Sequence, residues 1–305
     1  MDRRLKILYA VLAAFFLVAP AAIYPIFLMK ALCFALFASA FNLLIGYTGL
    51  LSFGHAMFLG TAGYICGHAV KVWGWPTELG ILAGVAVSAL VGYLVGALAI
   101  RRQGIYFAMI TLAFSQMLYF IYLQAPFTGG EDGLQGIPRR PLLGVIDLDN
   151  DLAMYYFVLA VAVAGFCLIY RTIHSPFGQI LKAIRENEAR ALSLGYDVAR
   201  YKLLAFVISA ALSGLAGATK ALVFKFETLT DVHWHMSGEV VLMTLLGGLG
   251  TILGPTVGAF IVVTLQNYLA SLEGWVTVIT GTIFVICVLA FRRGVVGEIA
   301  ARLKR

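Results

Sequence analysis

Apolar residues run along this chain in stretches about as long as a membrane-crossing helix, and short polar breaks separate the stretches. A helix needs about 20 consecutive apolar residues to cross the hydrocarbon core of a bilayer. The pattern therefore predicts an all-α, polytopic membrane protein with about 8–10 transmembrane helices in a single domain over residues 1–305. The stretches fall at 7–25, 30–47, 53–70, 78–100, 104–123, 152–170, 203–223, 238–252, 255–270 and 275–291.

The late part of this pattern is interrupted by the segment GGLGTILGP, residues 247–255. Gly and Pro are the residues least compatible with a helix interior, so a broken helix pair is expected near 238–270. Non-helical backbone at membrane depth is tolerated only where it is buried in protein or lines a cavity. The two halves either both cross the membrane or enter and return, and the pattern leaves both alternatives open.

Composition narrows the class of protein. The chain is 61% hydrophobic and 12% charged, with a mean hydropathy of +0.93. A soluble globular chain has about 25% charged residues, so this composition excludes that class. Lipid is the expected surrounding, and the net charge of +7 is better explained by membrane topology than by a nucleic-acid partner. No metal site is expected, because no ligand spacing involves the four cysteines Cys33, Cys66, Cys167 and Cys287.

Positive charge orients the predicted helices. Most of the 22 Lys and Arg residues lie at the N-terminus, at 101–102, in the loop 171–202 and at the C-terminus. Because Lys and Arg are concentrated on the cytoplasmic side, we expect both termini to be cytoplasmic in a multi-pass protein of the bacterial inner membrane. The longest outer loop is then 125–151. The first apolar run is either an anchor helix or a cleaved signal peptide.

A charged segment, SPFGQILKAIRENEARALSLG at 175–195, stands out from its apolar surroundings. Ser175 suits a helix N-cap, Pro176 suits the first helical position and Gly195 suits the residue after a helix end. Its apolar residues recur at helical spacing, so the segment predicts one cytoplasmic amphipathic helix that is too charged to span the membrane. Such a helix either lies on the membrane surface or docks on a protein partner, and its acidic residues favour the protein.

Four stretches of the chain resemble one family, the M-type permease subunit of branched-chain amino acid ABC importers. They are GYTGLLSFGHAMFLGTAGY (46–64), TGGEDGLQGIP (128–138), RENEARALSLGYDVARYKLLAFVISAALSGLAGA (185–218) and SGEVVLMTLLGGLGTILGPTVGA (237–259). The resemblance implies half of a heterodimeric translocation pathway, completed by a homologous second permease. It also implies two separate cytoplasmic ATPases, which bind ATP and Mg, and a periplasmic substrate-binding protein. Branched-chain amino acids are the implied substrates, with urea, short amides and other amino or organic acids as alternatives.

The resemblance assigns 175–195 as the coupling helix that docks on an ATPase. The importer pattern places Gly six residues after the Glu of its Glu-Ala-Ala motif, whereas Gly195 follows Glu188 by seven. The expected ATPase-coupling residues are Phe177, Leu181, Arg185, Glu186, Glu188, Arg190 and Gly195.

Two further sets of candidate residues complete the expected sites. Polar groups within spans usually face the bundle interior, where they either line a pathway or join helices by hydrogen bonds. The candidates for the substrate pathway are Asn42, Ser52, Phe53, His55, Gln116 and Glu239. Close helix packing is the alternative for the SFGHA stretch, and Ser237 is expected to cap the helix that begins at SGE. The outer-loop candidates for docking the binding protein are Gly129, Gly130, Glu131 and Asp132.

Two other classes of function are alternatives to an importer subunit. An ion-coupled secondary transporter usually places ionisable groups deep in its spans, whereas Lys220 and Glu239 are expected near the outer edge. A membrane-embedded enzyme would need a cluster of catalytic side chains. The sequence has no phosphate-binding loop of the type GxxxxGK[ST], so we expect no ATP hydrolysis, no catalytic residues and no cofactor in this chain.

Overall fold

The computed structural model describes residues 16–21, 23–142, 144, 146–269, 278–279, 281–283, 285–286 and 294–303. Most of the predicted runs 7–25 and 275–291 lies outside the described residues, as do Cys287 and the basic residues of the N-terminus. Eleven helices are described here. They are α1 Pro25–Thr48, α2 His55–Lys71, α3 Thr77–Ala99, α4 Ile105–Gln124, α5 Asp151–His174, α6 Pro176–Glu186, α7 Glu188–Ser193, α8 Val198–Phe224, α9 Trp234–Gly247, α10 Gly254–Leu269 and α11 Gly294–Leu303.

Five of these helices, α1, α3, α4, α5 and α8, are long and apolar enough to cross a membrane. The prediction of an all-α polytopic membrane protein is therefore confirmed. Helices α2, α9 and α10 are shorter, at 17, 14 and 16 residues. Two of the three are the broken pair expected near 238–270.

Helix α1 is the central element of the bundle. In its most apolar 18-residue stretch, 89% is buried inside the chain, and the buried share of the corresponding stretch of α8 is 78%. The corresponding windows of α3, α4 and α5 are only 28–33% buried, so these three helices lie at the periphery. An apolar helix that stays exposed in a membrane protein faces lipid or another subunit.

Small residues bring the inner helices together. A Cβ atom added to Gly217 of α8 would lie 1.9 Å from the backbone oxygen of Leu59 in α2. Such contacts let backbones approach closely, which is how transmembrane helices pack without a hydrophobic driving force between them.

The described strands form one small sheet at the end of the bundle where α2 and α8 finish. Strand β1, Leu134–Gln135, pairs antiparallel with β2, Phe226–Glu227. Lys71 at the end of α2 donates to the backbone oxygen of Gln135 at 2.6 Å. Two loops, one after α4 and one after α8, are thereby joined over this end, which we call the sheet end. The opposite end, which carries α6 and α7, we call the coupling end.

The charged segment 175–195 differs from its prediction as one continuous helix. Ser175 is the N-cap of α6 and accepts from the amide of Gly178, as the sequence indicated. Helix α6 ends at Asn187, whose backbone is extended (φ −158°). Asn187 is also the N-cap of a second, short helix, α7, because its side chain accepts from the amide of Arg190. Asn is a strong capping residue because its side chain competes for backbone amides. The predicted single helix is therefore two helices.

The Gly/Pro break near 238–270 is a turn at 248–253 between α9 and α10. Gly248 and Gly250 have positive φ values of 122° and 72°, which glycine adopts at little cost. Helix α9 begins at Trp234 with His233 as its N-cap, so the expectation that Ser237 caps this helix is wrong. The Ser237 hydroxyl instead accepts from the amide of Ala56 at 2.9 Å, near the start of α2.

Candidate functional site

The coupling segment, α6 with α7, presents one face to the bundle and another outward. Leu181 is fully buried, and Ile184 and Ala191 pack with Val198 at the start of α8. Glu186 and Arg190 lie on the exposed side. Large exposed side chains follow them at the end of α7, with Leu192 56% and Leu194 69% exposed. The outward face combines charge and apolar surface, which suits a protein partner better than solvent.

The predicted coupling residues also hold the segment in place. Glu188 accepts from Lys202 of α8 at 2.7 Å, and the Lys202 side chain is almost fully buried. Phe177 stacks on Tyr201 with ring centroids 5.6 Å apart. Gly195 has a φ of 85°, the left-handed conformation expected of a glycine after a helix end. The segment is thereby attached to α8 at both of its helices, so a force on it reaches the bundle.

Arg185 faces the bundle although its side chain is exposed. Its guanidinium donates to the backbone oxygen of Gly46 near the end of α1. A Cβ added at Gly250 would lie 3.3 Å from the same nitrogen, so the turn 248–253 adjoins this contact. Lys182, one helical turn earlier, lies over the Tyr47 ring at 5.7 Å.

Asn42, a predicted pathway residue, is 2% exposed and bonds to the turn 248–253. Its Oδ1 accepts from the amide of Gly250, and its Nδ2 donates to the oxygen of Thr251, both at 2.9 Å. The Asn42 side-chain amide therefore satisfies one backbone donor and one backbone acceptor of the non-helical turn.

Ser52 and Phe53 lie in the linker 49–54 between α1 and α2. The amide of Gly54 donates to Ser52 Oγ at 3.2 Å, and the amide of Phe53 donates to Thr111 Oγ1 at 3.2 Å. Side chains thus provide partners for backbone that is not helical, and Ser52 is fully buried. This is the condition under which irregular backbone is tolerated inside a membrane protein.

His55 begins α2 deep within the bundle. It is fully buried, and its Nε2 lies 2.9 Å from Ser209 Oγ, which itself bonds to the oxygen of Ala40 at 2.6 Å. Ser209 is about 16 Å along α8 from its start at 1.5 Å per residue. Phe41 contacts the imidazole edge-on at 4.9 Å. Close packing, the alternative that the sequence left open, describes this environment.

Gln116 and Glu239 are partly buried, on α4 and α9. Gln116 Nε2 has no hydrogen-bond partner among the described residues. Glu239 lies close to Gln266 of α10. Within the described part of the chain, no hydrogen bond or ion pair joins the six predicted pathway residues to one another. Their role in a pathway stays a prediction.

The predicted docking residues lie on the surface at the sheet end. Glu131 and Asp132 are exposed in a short 3₁₀ helix, Gly130–Asp132, and Gly129 before it has a φ of 80°. Gly133 closes the loop against the backbone oxygen of Glu227, where an added Cβ would lie at 2.4 Å. Two carboxylates are thus held outward on a loop of fixed shape, and binding-protein docking remains an expectation for them.

A buried ionic cluster at the sheet end was missed by sequence reasoning. Lys220 of α8 lies 2.7 Å from Asp231 and 3.6 Å from Glu227, and all three side chains are at most 7% exposed. The sequence placed Lys220 near the outer edge, and the structure shows that its side chain is buried at the sheet end. Burial raises the pKa of the Glu227 carboxyl well above its usual value, although Lys220 opposes the shift. A lysine inside a long apolar run, followed within about a dozen residues by two acids, was the available signal.

Gly63 explains how this cluster fits beside α2. A Cβ at Gly63 would lie 2.4 Å from the carboxyl carbon of Glu227. Within the described residues, no group of three or more His, Cys, Asp and Glu side chains is arranged to hold a metal ion.

Known proteins provide a separate line of comparison. Residues 23–289 match a family model described as branched-chain amino acid transport system / permease component. The chain is 27% identical over 289 residues to the high-affinity branched-chain amino acid transport system permease protein LivM of Salmonella typhimurium, which covers 86% of this chain and 67% of the relative.

Other relatives carry different names. The chain is 30% identical over 192 residues to the autoinducer 2 import system permease protein LsrC of Klebsiella pneumoniae, covering 60% of this chain and 53% of the relative. It is 28% identical over 159 residues to the probable branched-chain amino acid transport permease protein LivH of Methanocaldococcus jannaschii, covering 49% of each. No solved structure matches the chain.

Proposed function

Because the chain belongs to the family of permease components of branched-chain amino acid transport systems, we propose that it imports branched-chain amino acids as one half of a translocation pathway. Its place among ABC transporter permeases agrees with the family named from the sequence. It also removes the reason to consider an ion-coupled secondary transporter. The homologues are transport subunits and not enzymes.

The observation that carries the proposal is the coupling segment. It is anchored to α8 through Glu188 and Lys202 while it presents Glu186, Arg190 and two exposed leucines outward. A segment that is fixed on one face and exposed on the other is suited to receive a second protein and to pass its motion to the bundle. Separate ATPase subunits are the partners that this face fits, and they would bind the ATP and Mg.

Two further partners follow from the proposal. Likeness to both a LivM and a LivH supports a heterodimer of two homologous permeases. The peripheral helices α3 and α4, with about 30% of their apolar windows buried, leave room for such a neighbour. A periplasmic binding protein would dock at the sheet end, near Glu131 and Asp132. In this proposal the coupling end lies in the cytoplasm of a bacterial inner-membrane protein.

The substrate is the part of the proposal that rests on sequence likeness. The family model that matches residues 23–289 is described by branched-chain amino acid transport, and this description favours a branched-chain amino acid, although a second LsrC relative covers 88% of the chain. The autoinducer 2 permease makes a second substrate class specific enough to test. Urea, short amides and other amino or organic acids are the remaining alternatives.

The test begins with the tagged chain purified from detergent-solubilised native membranes, with mass spectrometry of what copurifies. We expect a second permease and ATPase subunits. The copurified complex is then placed in proteoliposomes with its binding protein, and ATP-dependent uptake of labelled leucine is measured against unlabelled competitors. Competition by isoleucine and valine, but not by autoinducer 2 or urea, supports the substrate. Recovery of the chain alone, active without ATP, contradicts the proposal.

A further inference from the structure

Three segments meet at the coupling end of α1, and their contacts form a compact junction. The junction consists of Asn42 and Gly46 of α1, Arg185 of α6, and Gly250 and Thr251 of the turn 248–253. A Cβ at Gly46 would lie 2.3 Å from Asn42 Oδ1 and 2.9 Å from the Gly250 nitrogen. Only a glycine lets these three parts of the chain approach so closely.

The junction joins its parts through several hydrogen bonds. Asn42 makes both of its bonds to the turn, and the Tyr47 hydroxyl donates to the oxygen of Gly250 at 3.0 Å. Arg185 adds a bond from α6 to the oxygen of Gly46. Displacement of α6 therefore acts on the end of α1 and on the turn together.

The turn belongs to a helix pair that is packed tightly enough to move as one body. A Cβ at Gly247 of α9 would lie 1.8 Å from the oxygen of Gly254. The same distance separates a Cβ at Gly258 of α10 from the oxygen of Met243. Backbone in direct contact leaves little space for one helix to slide past the other, because packed interiors transmit strain.

Helix α9 extends from the junction into the centre of the bundle. It is about 21 Å long at 1.5 Å per residue. Near its far end, Ser237 accepts from the amide of Ala56, beside the buried start of α2. The pair α9–α10 therefore connects the coupling end with the depth at which the linker 49–54 ends.

We propose that the turn 248–253 is the point at which motion of the coupling segment enters the bundle, and that Asn42 and Arg185 are positioning residues for this transfer. The inference rests on the proposed function, since it assumes that a partner moves α6 and α7. It assigns to Asn42 a role in coupling that differs from lining the pathway. In this proposal Arg185 contacts the bundle, and Glu186 and Arg190 are the charged residues that contact the partner.

If the junction transmits motion, its variants should transport less substrate per ATP even when the complex stays folded. Asn42→Leu removes both bonds to the turn and nearly preserves side-chain volume. Tyr47→Phe removes one hydroxyl, and Arg185→Gln removes the charge of an exposed side chain. In the reconstituted complex we expect ATP hydrolysis to continue while substrate transported per ATP falls about 2- to 30-fold for Asn42→Leu, the range for changes within a coupling network. The fall is smaller for Tyr47→Phe.

Two controls separate coupling from general damage. Ser39→Ala alters the same buried face of α1 one turn away, where the hydroxyl has no partner among the described residues. Arg200→Gln removes an exposed arginine on the first turn of α8, where its ion pair is with Asp197. Both are expected to keep the wild-type ratio of transport to hydrolysis. The double variant of Asn42 and Arg185 is expected to lose less than the product of the single losses, because the two residues act through one turn.

The outcomes separate this inference from the proposed function. If the wild-type complex shows no ATP-dependent uptake, the proposed function fails. If the wild type transports and Asn42→Leu, Tyr47→Phe and Arg185→Gln all keep its ratio of transport to hydrolysis, the turn is not the entry point. Should Asn42→Leu fail to assemble, Tyr47→Phe and Arg185→Gln decide the question, because neither removes buried apolar volume.

Discussion

Replacement of Lys220 by methionine tests the importance of the buried ionic cluster. Methionine has a similar length and an apolar character suited to α8, so the change removes the charge and little else. Asp231 and Glu227 then lose the cation at 2.7 and 3.6 Å. Arg139 in the adjoining loop already pairs with Asp151, whereas Lys30 of α1 stays within electrostatic range of Asp231.

The expected loss is large because the two acids stay buried without their ion-pair partner. Removal of one partner from a buried ion pair costs about 3–5 kcal/mol. Domains of 150–250 residues lose about 2–4 °C in melting temperature for each kcal/mol, and the loss falls with size, so a shift of about 6–10 °C is expected for this longer chain. The same replacement at Lys225, whose ion pair with Asp149 is about half exposed, is expected to cost no more than about 1 kcal/mol.

The assay is thermal unfolding of both variants in detergent at two pH values. Burial raises the pKa of Glu227 in the folded protein, so the folded state holds more protons than the unfolded state between the ordinary and the raised pKa. Stability from this group is fully present below the ordinary pKa and decreases as the pH rises toward the raised one. Without Lys220 the pKa rises further, and the Lys220→Met variant should therefore recover stability at about pH 5.5 relative to about pH 8.

Two results would refute this reasoning. Equal melting temperatures of the Lys220 and Lys225 variants would show that Lys220 does not compensate the buried charge of Glu227 and Asp231. A variant that loses stability on acidification, relative to the wild type, would show that neither acid carries the penalty.

Other positions give predictions that thermal unfolding can check in the same way. Arg139 is buried and donates to the oxygens of two residues near the end of α8, so Arg139→Met should cost about 1–3 kcal/mol for the unpaired acceptors. Arg140→Met, at an exposed neighbour, should cost little, and equal losses would contradict the capping role. Gly217→Ala places a Cβ 1.9 Å from a backbone oxygen of α2 and should destabilise by about 1–3 kcal/mol. Gly238→Ala, which meets nothing within 4 Å in α9, should stabilise by about 0.5–1 kcal/mol, and a loss there would mean that another subunit contacts this site.

The helical organisation was readable from the sequence because the membrane imposes a strong constraint on it. Runs such as 78–100 and 104–123 became α3 and α4 within a few residues, since every backbone group in lipid must bond within its own helix. Local capping was equally readable, because Ser175 and Gly195 act on backbone next to them in sequence.

The candidate site was less readable because its contacts join residues far apart in sequence. Asn42 and the turn 248–253 are separated by about 200 positions, and apolar periodicity does not encode which polar group meets which backbone. The linker 49–54 looked like the start of a span because Phe53 and its neighbours are apolar. The positions of α1 and α4 decide that Ser52 and Thr111 support the linker with side-chain hydrogen bonds.

The break at Asn187 accounts for the sequence spacing that departed from the importer pattern. With a continuous helix, Glu188 and Gly195 seven residues apart would lie two turns along one surface. In the structure Glu188 begins a new helix, α7, and Gly195 comes just after its end. Their separation is therefore set by one short helix and its two caps. The register of the partner-facing residues is accordingly measured from Asn187, which places Arg190 on the first turn of α7 and Leu194 at its C-cap.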